Sequence, residues 1–138
     1  MADYAKHLPK VTLDSQPFWE SCQAHAMAFQ QCADCGQFRY PPRATCPHCL
    51  SEEVRWTAMS GRGTVYLSLV MYQAYGAAWA GDVPYNLAMI ELDEGVRMWS
   101  NVVGCDPEAV QIGDRVEVTY DDVTPEITLP RFRRPADG

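Results

Sequence analysis

Two short stretches decide the fold: Cys32-Ala33-Asp34-Cys35-Gly36 and Cys46-Pro47-His48-Cys49, with ten residues between the pairs. A Cys-x-x-Cys turn aims two sulfurs at one point. Two such turns on adjacent hairpins supply four thiolates at tetrahedral geometry, the closed coordination of structural zinc. The spacer is short, but Tyr40-Pro41-Pro42-Arg43 can reverse the chain within it. The metal ligands expected are therefore Cys32, Cys35, Cys46 and Cys49, holding Zn2+. A shell of four sulfurs leaves no position for substrate, so the site describes architecture and not an activity. Two disulfides are one alternative and a one-iron electron carrier is another, since four thiolates also suit iron. His48, inside the second knuckle, reads as a solvated residue because the sulfurs already fill the shell.

Outward from the knuckles, the chain is organised by punctuation. Residues 1–26 read as an arm and a short helix: Ser15 is placed to cap it, Pro17 falls in its first turn, and Phe18, Trp19 and Cys22 share a side. Residues 27–58 read as a zinc ribbon too small to bury a core without its metal. Gly61-Arg62-Gly63 opens the remainder, 59–138, which reads as strands. Thr64 to Tyr72 places Val65, Leu67, Leu69 and Met71 on one face, and Tyr85 to Leu92 turns through Asp93-Glu94-Gly95 into Val96 to Val103. Asp106-Pro107 starts a single helical turn, and Arg115 to Tyr120 and Glu126 to Phe132 complete the set. The fold class expected is mainly β: a short N-terminal helix, a four-cysteine ribbon and a five-stranded OB-type barrel. Val65, Leu67, Leu69, Leu87, Met89, Val116 and Val118 are its expected buried positions.

Charge and isolated reactive groups narrow the function. Eleven Lys and Arg against eighteen Asp and Glu leave a net charge of −7, which argues against nucleic-acid or anionic-membrane partners. Arg131, Arg133 and Arg134 cluster beside Phe132. They read as a solvated basic end, the alternative being a contact for an acidic partner or a ligand phosphate. Cys22, Cys105, His7 and His25 stand apart in sequence, and no nucleophile elbow, phosphate loop or paired metal-protease histidines occur. The start Met1-Ala2-Asp3-Tyr4 carries no basic and apolar leader, and no long apolar run follows, so a cytoplasmic protein is expected. The connection from Gln73 to Pro84 is long for a hairpin. Its Tyr75 and Trp79, with Tyr85 beyond it, are candidate partner-facing or substrate-entrance residues; the alternative for Trp79 is a cap over its own barrel.

The order of these features resembles a known family. Pro17-Phe18-Trp19-Glu20 precedes the two knuckles. Trp56, Ser60-Gly61-Arg62-Gly63-Thr64-Val65-Tyr66, Pro84-Tyr85, Glu91-Leu92-Asp93-Glu94-Gly95, Ile112-Gly113-Asp114-Arg115-Val116 and Leu129-Pro130-Arg131-Phe132 follow. From about residue 15 onward the chain is similar to the acyl-CoA-associated family with a rubredoxin-like zinc ribbon and a C-terminal OB-fold. Leu50 departs from the pattern, standing where a glycine is usual after the second knuckle. His25-Ala26-Met27 departs too, where members often carry a Gly-Glu turn. The resemblance implies an accessory subunit of a thiolase-superfamily enzyme (thiolase, acyltransferase or retro-aldolase) acting on acyl-CoA. Such a subunit is needed for a hetero-oligomeric assembly and does not supply the nucleophile. The acyl group, steroid, aromatic or short-chain, stays open. The competing readings are a nucleic-acid-binding ribbon and OB module, and the iron electron carrier.

Overall fold

The computed structural model describes residues 6–74 and 76–135. Tyr75 therefore lies outside the described residues. Helix α1 (Gln16–Gln23) leads into a three-stranded sheet of β1 (Ala28–Cys32), β2 (Phe38–Arg39) and β3 (Val54–Ala58), ordered β2-β1-β3 and antiparallel throughout. A second sheet holds β4 (Arg62–Met71), β5 (Tyr85–Leu92), β6 (Arg97–Ser100), β7 (Val102–Val103), β8 (Arg115–Asp122) and β9 (Thr128–Arg133), in the order β6-β5-β4-β8-β9-β7. Among the described residues no helix is long and apolar enough to cross a membrane.

Pro17 sits in the first turn of α1 as expected, but Ser15 does not cap it: the Ser15 hydroxyl turns back and accepts the Thr12 N–H at 2.9 Å. What holds α1 is packing. Phe18 and Cys22, one turn apart, are sealed from water, and Phe18 meets Phe29 and Tyr40 at ring separations of 6.0 and 5.5 Å. Together with Met27 and Phe29 these residues join Val65, Ile90, Leu92, Val116 and Phe132 in one hydrophobic cluster. Helix, ribbon and larger sheet thus share a core.

The larger sheet holds the five strands expected and corrects only their closure into a barrel. The third strand is broken at Asn101 into β6, which pairs with β5, and β7, which pairs in parallel with β9. The two ends of the sheet are therefore consecutive stretches of chain. The ladder is OB-like but not a continuously bonded barrel. Asn86 pins the break: it is buried, its Oδ1 accepts the Val102 N–H at 2.9 Å, and its Nδ2 donates to Ser68 Oγ at 2.9 Å. The Asn101 carbonyl in turn accepts the Phe132 N–H at 2.9 Å.

A second correction concerns which side faces in. Val65 pairs with Ile90, but the next pair is Leu67 with Met89, so Tyr66 is an extra residue in β4. A bulge of this kind reverses the phase of every later side chain. Val65 and Val116 are buried as expected, and Val118 is half-buried against the core. Leu67 and Leu69 are instead 37% and 45% exposed, and Leu87 and Met89, paired with them, are only half-buried. Past the bulge, Ser68, Val70, Asn86 and Ala88 take the inner face.

Two glycines of the Ser60-Gly61-Arg62-Gly63 run are fixed by contact. A Cβ on Gly63 would stand 2.6 Å from the Glu91 carbonyl oxygen, and one on Gly61, at φ +76°, would stand 2.5 Å from Val118 Cγ1. Gly63→Ala is expected to lower stability by about 1–3 kcal/mol through overpacking. Gly81→Ala, which meets open space, is expected to change it by less than about 0.5 kcal/mol. Chemical denaturation of the two variants checks this; equal midpoints would mean that the β4–β5 backbone approach is loose.

Candidate metal centre and partner-facing surface

The two knuckles are built alike. In the first, the Cys32 N–H donates to the Gln37 carbonyl and the Gly36 N–H to the Cys32 carbonyl; in the second, Cys46 pairs with Ser51 and Leu50 with Cys46, all at 2.9 Å. The Cys35 N–H points at Cys32 Sγ and the His48 N–H at Cys46 Sγ, each at 3.4 Å. This repetition requires a left-handed residue after each second cysteine. Gly36 adopts it at φ +79°, and Leu50, standing where the glycine was missing, adopts it at φ +66°. His25, the other departure, is also left-handed at φ +57°. It is held by stacking on Tyr120 at 4.8 Å and by Nε2 contacts with the Asp122 carboxylate at 3.0 and 3.2 Å.

The four sulfurs lie within 4.8 Å of one another, with Cys32–Cys49 at 3.6 Å and Cys35–Cys46 at 3.7 Å. Metal–sulfur bonds of about 2.3 Å place the corners of a tetrahedron about 3.8 Å apart, so the donor set fits a four-coordinate ion. Electrostatics point the same way. The Cys35 N–H draws the Cys32 thiol down to about 6. At Cys46 burial opposes the thiolate, but the N–H groups of Cys49 and His48 outweigh it and lower the pKa. At Cys49 the Ser51 N–H favours the thiolate, yet the neighbouring sulfur of Cys32, burial, and the sulfurs of Cys35 and Cys46 push the thiol up to about 12. Cys35 is likewise raised: the Gln37 N–H favours its thiolate, and burial with the Cys32 and Cys46 sulfurs outweighs it. Two of the thiols are thus drawn down and two are pushed up by burial and the neighbouring sulfurs. A bound cation opposes that upward push, which is why the cluster suits a metal. His48 is exposed and is not among the grouped donors.

The remaining cysteines separate. Cys22 is fully buried, and burial pushes its thiol up to about 12, which removes it as a nucleophile. Cys105 is half-exposed and lines a cavity of about 400 Å³ at the β6–β7 break, with Trp79, Tyr85, Asn101 and Arg131. Trp79 and Tyr85 stack at 4.6 Å, both half-buried, and Lys6 lies 4.9 Å from the Trp79 ring. The tail arginines are matched within the chain: Arg131 with Asp121 at 2.9 Å, Arg133 with Glu117 at 3.1 Å, and Arg134 with Asp114 at 3.9 Å.

Sequence reasoning missed the surface on the outside of β4, β5 and β6. Leu67 lies beside Met89 and Met89 beside Trp99, Leu69 lies beside Leu87, and Met71 lies beside Tyr85. Trp99 is 45% exposed, and Tyr66 and Tyr72 are exposed at the margin. The alternation in β4 and β5 was legible, but a one-residue bulge leaves no mark in a period of two.

A four-thiolate ribbon joined to an OB-type sheet defines the class, and comparison with known proteins gives the family. The ChsH2 rubredoxin-like zinc ribbon domain matches residues 19–55 and the ChsH2 C-terminal OB-fold domain matches residues 56–121. The solved structure titled "Ltp2-ChsH2(DUF35) aldolase" superposes with a TM-score of 0.83 at 34% identity, covering 92% of this chain and 98% of that one. A DUF35 domain-containing scaffold protein of Methanothermobacter thermautotrophicus is 31% identical over 105 residues, which are 75% of this chain and 78% of that protein. A probable enoyl-CoA hydratase alpha subunit of Thermomonospora curvata is 34% identical over 125 residues. That alignment takes 91% of this chain but 39% of the relative, so the chain spans about two fifths of that protein's length. The chain belongs to the DUF35 family, in its ChsH2 ribbon-and-OB arrangement.

Two expectations follow for the metal centre. Metal loading falls as pH falls, because the ion must compete with protons for four thiolates. Chelator competition at two pH values measures this, and loading independent of pH would contradict thiolate ligation. Leu50→Gly is expected to raise stability by up to about 1 kcal/mol, since the left-handed strain of roughly 1–2 kcal/mol exceeds glycine's added unfolded-state freedom of about 0.5–1 kcal/mol. Leu50 is 75% exposed and gives up little packing. Denaturation midpoints of the metal-loaded proteins decide it, and a loss of stability would show that Leu50 is not strained.

Proposed function

We propose that this chain is an accessory subunit of a hetero-oligomeric enzyme acting on acyl-CoA thioesters. Its partner is a thiolase-fold chain that supplies the nucleophile, and the assembly is cytoplasmic. In this reading Zn2+ is structural and is held by Cys32, Cys35, Cys46 and Cys49. The working units are the arm and helix to residue 26, the ribbon 27–58 and the OB-type remainder 59–138. The relatives support the reading: one is named as a hydratase alpha subunit, one as a scaffold protein, and one solved structure is titled as a two-component aldolase.

The observation that carries the proposal is the apolar outer face of β4–β5–β6. Leu67, Leu69, Met71, Leu87, Met89 and Trp99 present, on the order of a few hundred Å², a patch of the size that monomers ordinarily use or cover. The cation at its margin, Arg97, is already engaged: Nε donates to Glu91 at 2.9 Å and its guanidinium lies 3.8 Å from the centre of the Tyr66 ring. The face is therefore suited to an apolar protein surface and not to phosphates. Tyr85 continues it toward Trp79, on which it stacks, and in this reading the pair forms the edge of the docking surface beside the substrate entrance. Tyr75 belongs to the same proposal.

Leu69→Asp tests this directly. The residue is about half exposed in the isolated chain, so the variant's own stability should fall by about 1 kcal/mol, from strand propensity and the lost pairing with Leu87, and the fold should persist. A carboxylate buried in the interface should weaken assembly with the thiolase-fold partner by about 2 kcal/mol or more. Co-expression followed by size-exclusion chromatography measures assembly, and an unimpaired complex would overturn the docking face. Trp79→Ala is expected to weaken assembly or acyl-CoA turnover by about 1–3 kcal/mol with the fold intact. Normal assembly with poor turnover would assign Trp79 to the substrate path. Normal values for both would leave it a cap on its own sheet.

A further inference from the structure

In a chain of net charge −7, three arginines line one cleft, and two of them, Arg39 and Arg43, have no carboxylate partner among the described residues, whereas Arg97 is paired with Glu91. The cleft lies between β2 with the second knuckle on one side and the start of β6 on the other, and has a volume of about 330 Å³. Arg39, Arg43 and Arg97 line it together with His48, Phe38 and Tyr40, and among the described residues no carboxylate does.

Arg39 is the unusual member. It is only 4% exposed, and among the described residues it has no carboxylate partner. Its Nε donates to Gln30 Oε1 at 3.0 Å and, with Nη2, to the Arg43 carbonyl at 3.2 and 3.1 Å. These acceptors are neutral. Its Nη1 is buried with no acceptor among the described residues. A buried guanidinium met only by neutral groups, with one N–H unanswered, is costly unless an anion completes it. Arg43 is held at the cleft by its own backbone: its N–H donates to Gln30 Oε1 at 2.8 Å and its carbonyl receives Arg39. Its side chain is exposed and makes no ion pair among the described residues. The carboxylates of the facing hairpin are all engaged, Glu91 with Arg97, Asp93 with Arg115 at 2.8 Å and Glu94 with the Ser60 N–H at 2.8 Å.

We propose that this cleft binds the phosphate of a small phosphate ester, with Arg39 and Arg43 as the fixed and the mobile guanidinium. Planar guanidinium forks match phosphate oxygens, and the volume falls in the range of small-ligand sites. Phe38 and Tyr40 give the same cleft an aromatic wall for the ligand's organic part. The phosphate site stands on the arginines alone. That its natural ligand is the nucleotide end of an acyl-CoA thioester rests on the function proposed above.

The test uses the full, metal-loaded chain without any partner, titrated calorimetrically at fixed ionic strength with pyrophosphate, adenosine 3′,5′-bisphosphate, adenosine and a glutamate-rich peptide. Saturable binding of both phosphates is expected, weakened roughly tenfold or more in Arg43→Ala and unchanged in Arg133→Ala, a distant ion-paired control. Tighter binding of the bisphosphate than of pyrophosphate would identify a nucleotide as the source, and equal binding a bare phosphate group. Binding of the acidic peptide with no phosphate binding would overturn the proposal in favour of a protein contact. No saturable binding, or equal losses in the two variants, would overturn it outright. Because no partner is present, failure here leaves the assembly reading intact, and failure of assembly leaves this result intact.

Discussion

One inserted residue, Tyr66, sets the character of the molecule. It divides β4 into two lengths of opposite phase. Before it, Val65 faces Ile90 inside the core; after it, Leu67 and Leu69 face water beside Met89 and Leu87. The inner positions beyond the bulge go to Ser68, Val70, Asn86 and Ala88, which are small or polar. The sheet is thus apolar outside where it would ordinarily be polar, and partly polar inside. The inner polar groups are satisfied, because Asn86 bridges Ser68 and the Val102 backbone. Among the described residues nothing covers the outer apolar groups, and in the proposed function a second surface buries them.

The ribbon is tied to this sheet by more than its metal. A small ribbon gains most of its stability from ligation, but here Phe29 of β1 packs with Phe18 of the helix and with Tyr40 after β2, and that aromatic group is continuous with the core of the larger sheet. Metal loss is therefore expected to loosen the knuckles while leaving α1 and β1 docked. The two left-handed non-glycine residues fit the same division of labour. His25 is compensated by Tyr120 and Asp122, whereas Leu50 sits on the exposed knuckle with its side chain in solvent. The Arg39 cleft lies where the ribbon meets the β5–β6 hairpin, so a ligand there would bridge the two sheets.

Much of this was legible in the chain because local chemistry dictates it. Paired cysteines at short spacing have few alternatives, and their four sulfurs do converge. Asp93-Glu94-Gly95 turns β5 into β6, and Asp106 accepts the Glu108 N–H to cap the turn beginning at Pro107. What was not legible depends on partners distant in sequence. A period of two places Leu67 with Val65 unless the opposing strand reveals the extra residue. At Asn101 the chain changes partner, β6 pairing with β5 and β7 with β9, and nothing in Val96–Val103 records that choice. Nothing in the sequence marks Arg39; only its burial between Gln30 and the Arg43 carbonyl singles it out.

The central claim is that the outer face of β4–β5–β6 is an interface with a thiolase-fold chain. Side-chain footprinting with a diffusible radical, on this chain alone and in its complex with that partner, tests it most directly. The account predicts that Leu69, Met89 and Trp99 are modified in the isolated chain and strongly protected in the complex, while Leu13, which is 90% exposed and off this face, is modified alike in both. Equal modification of Leu69, Met89 and Trp99 in both states would contradict it.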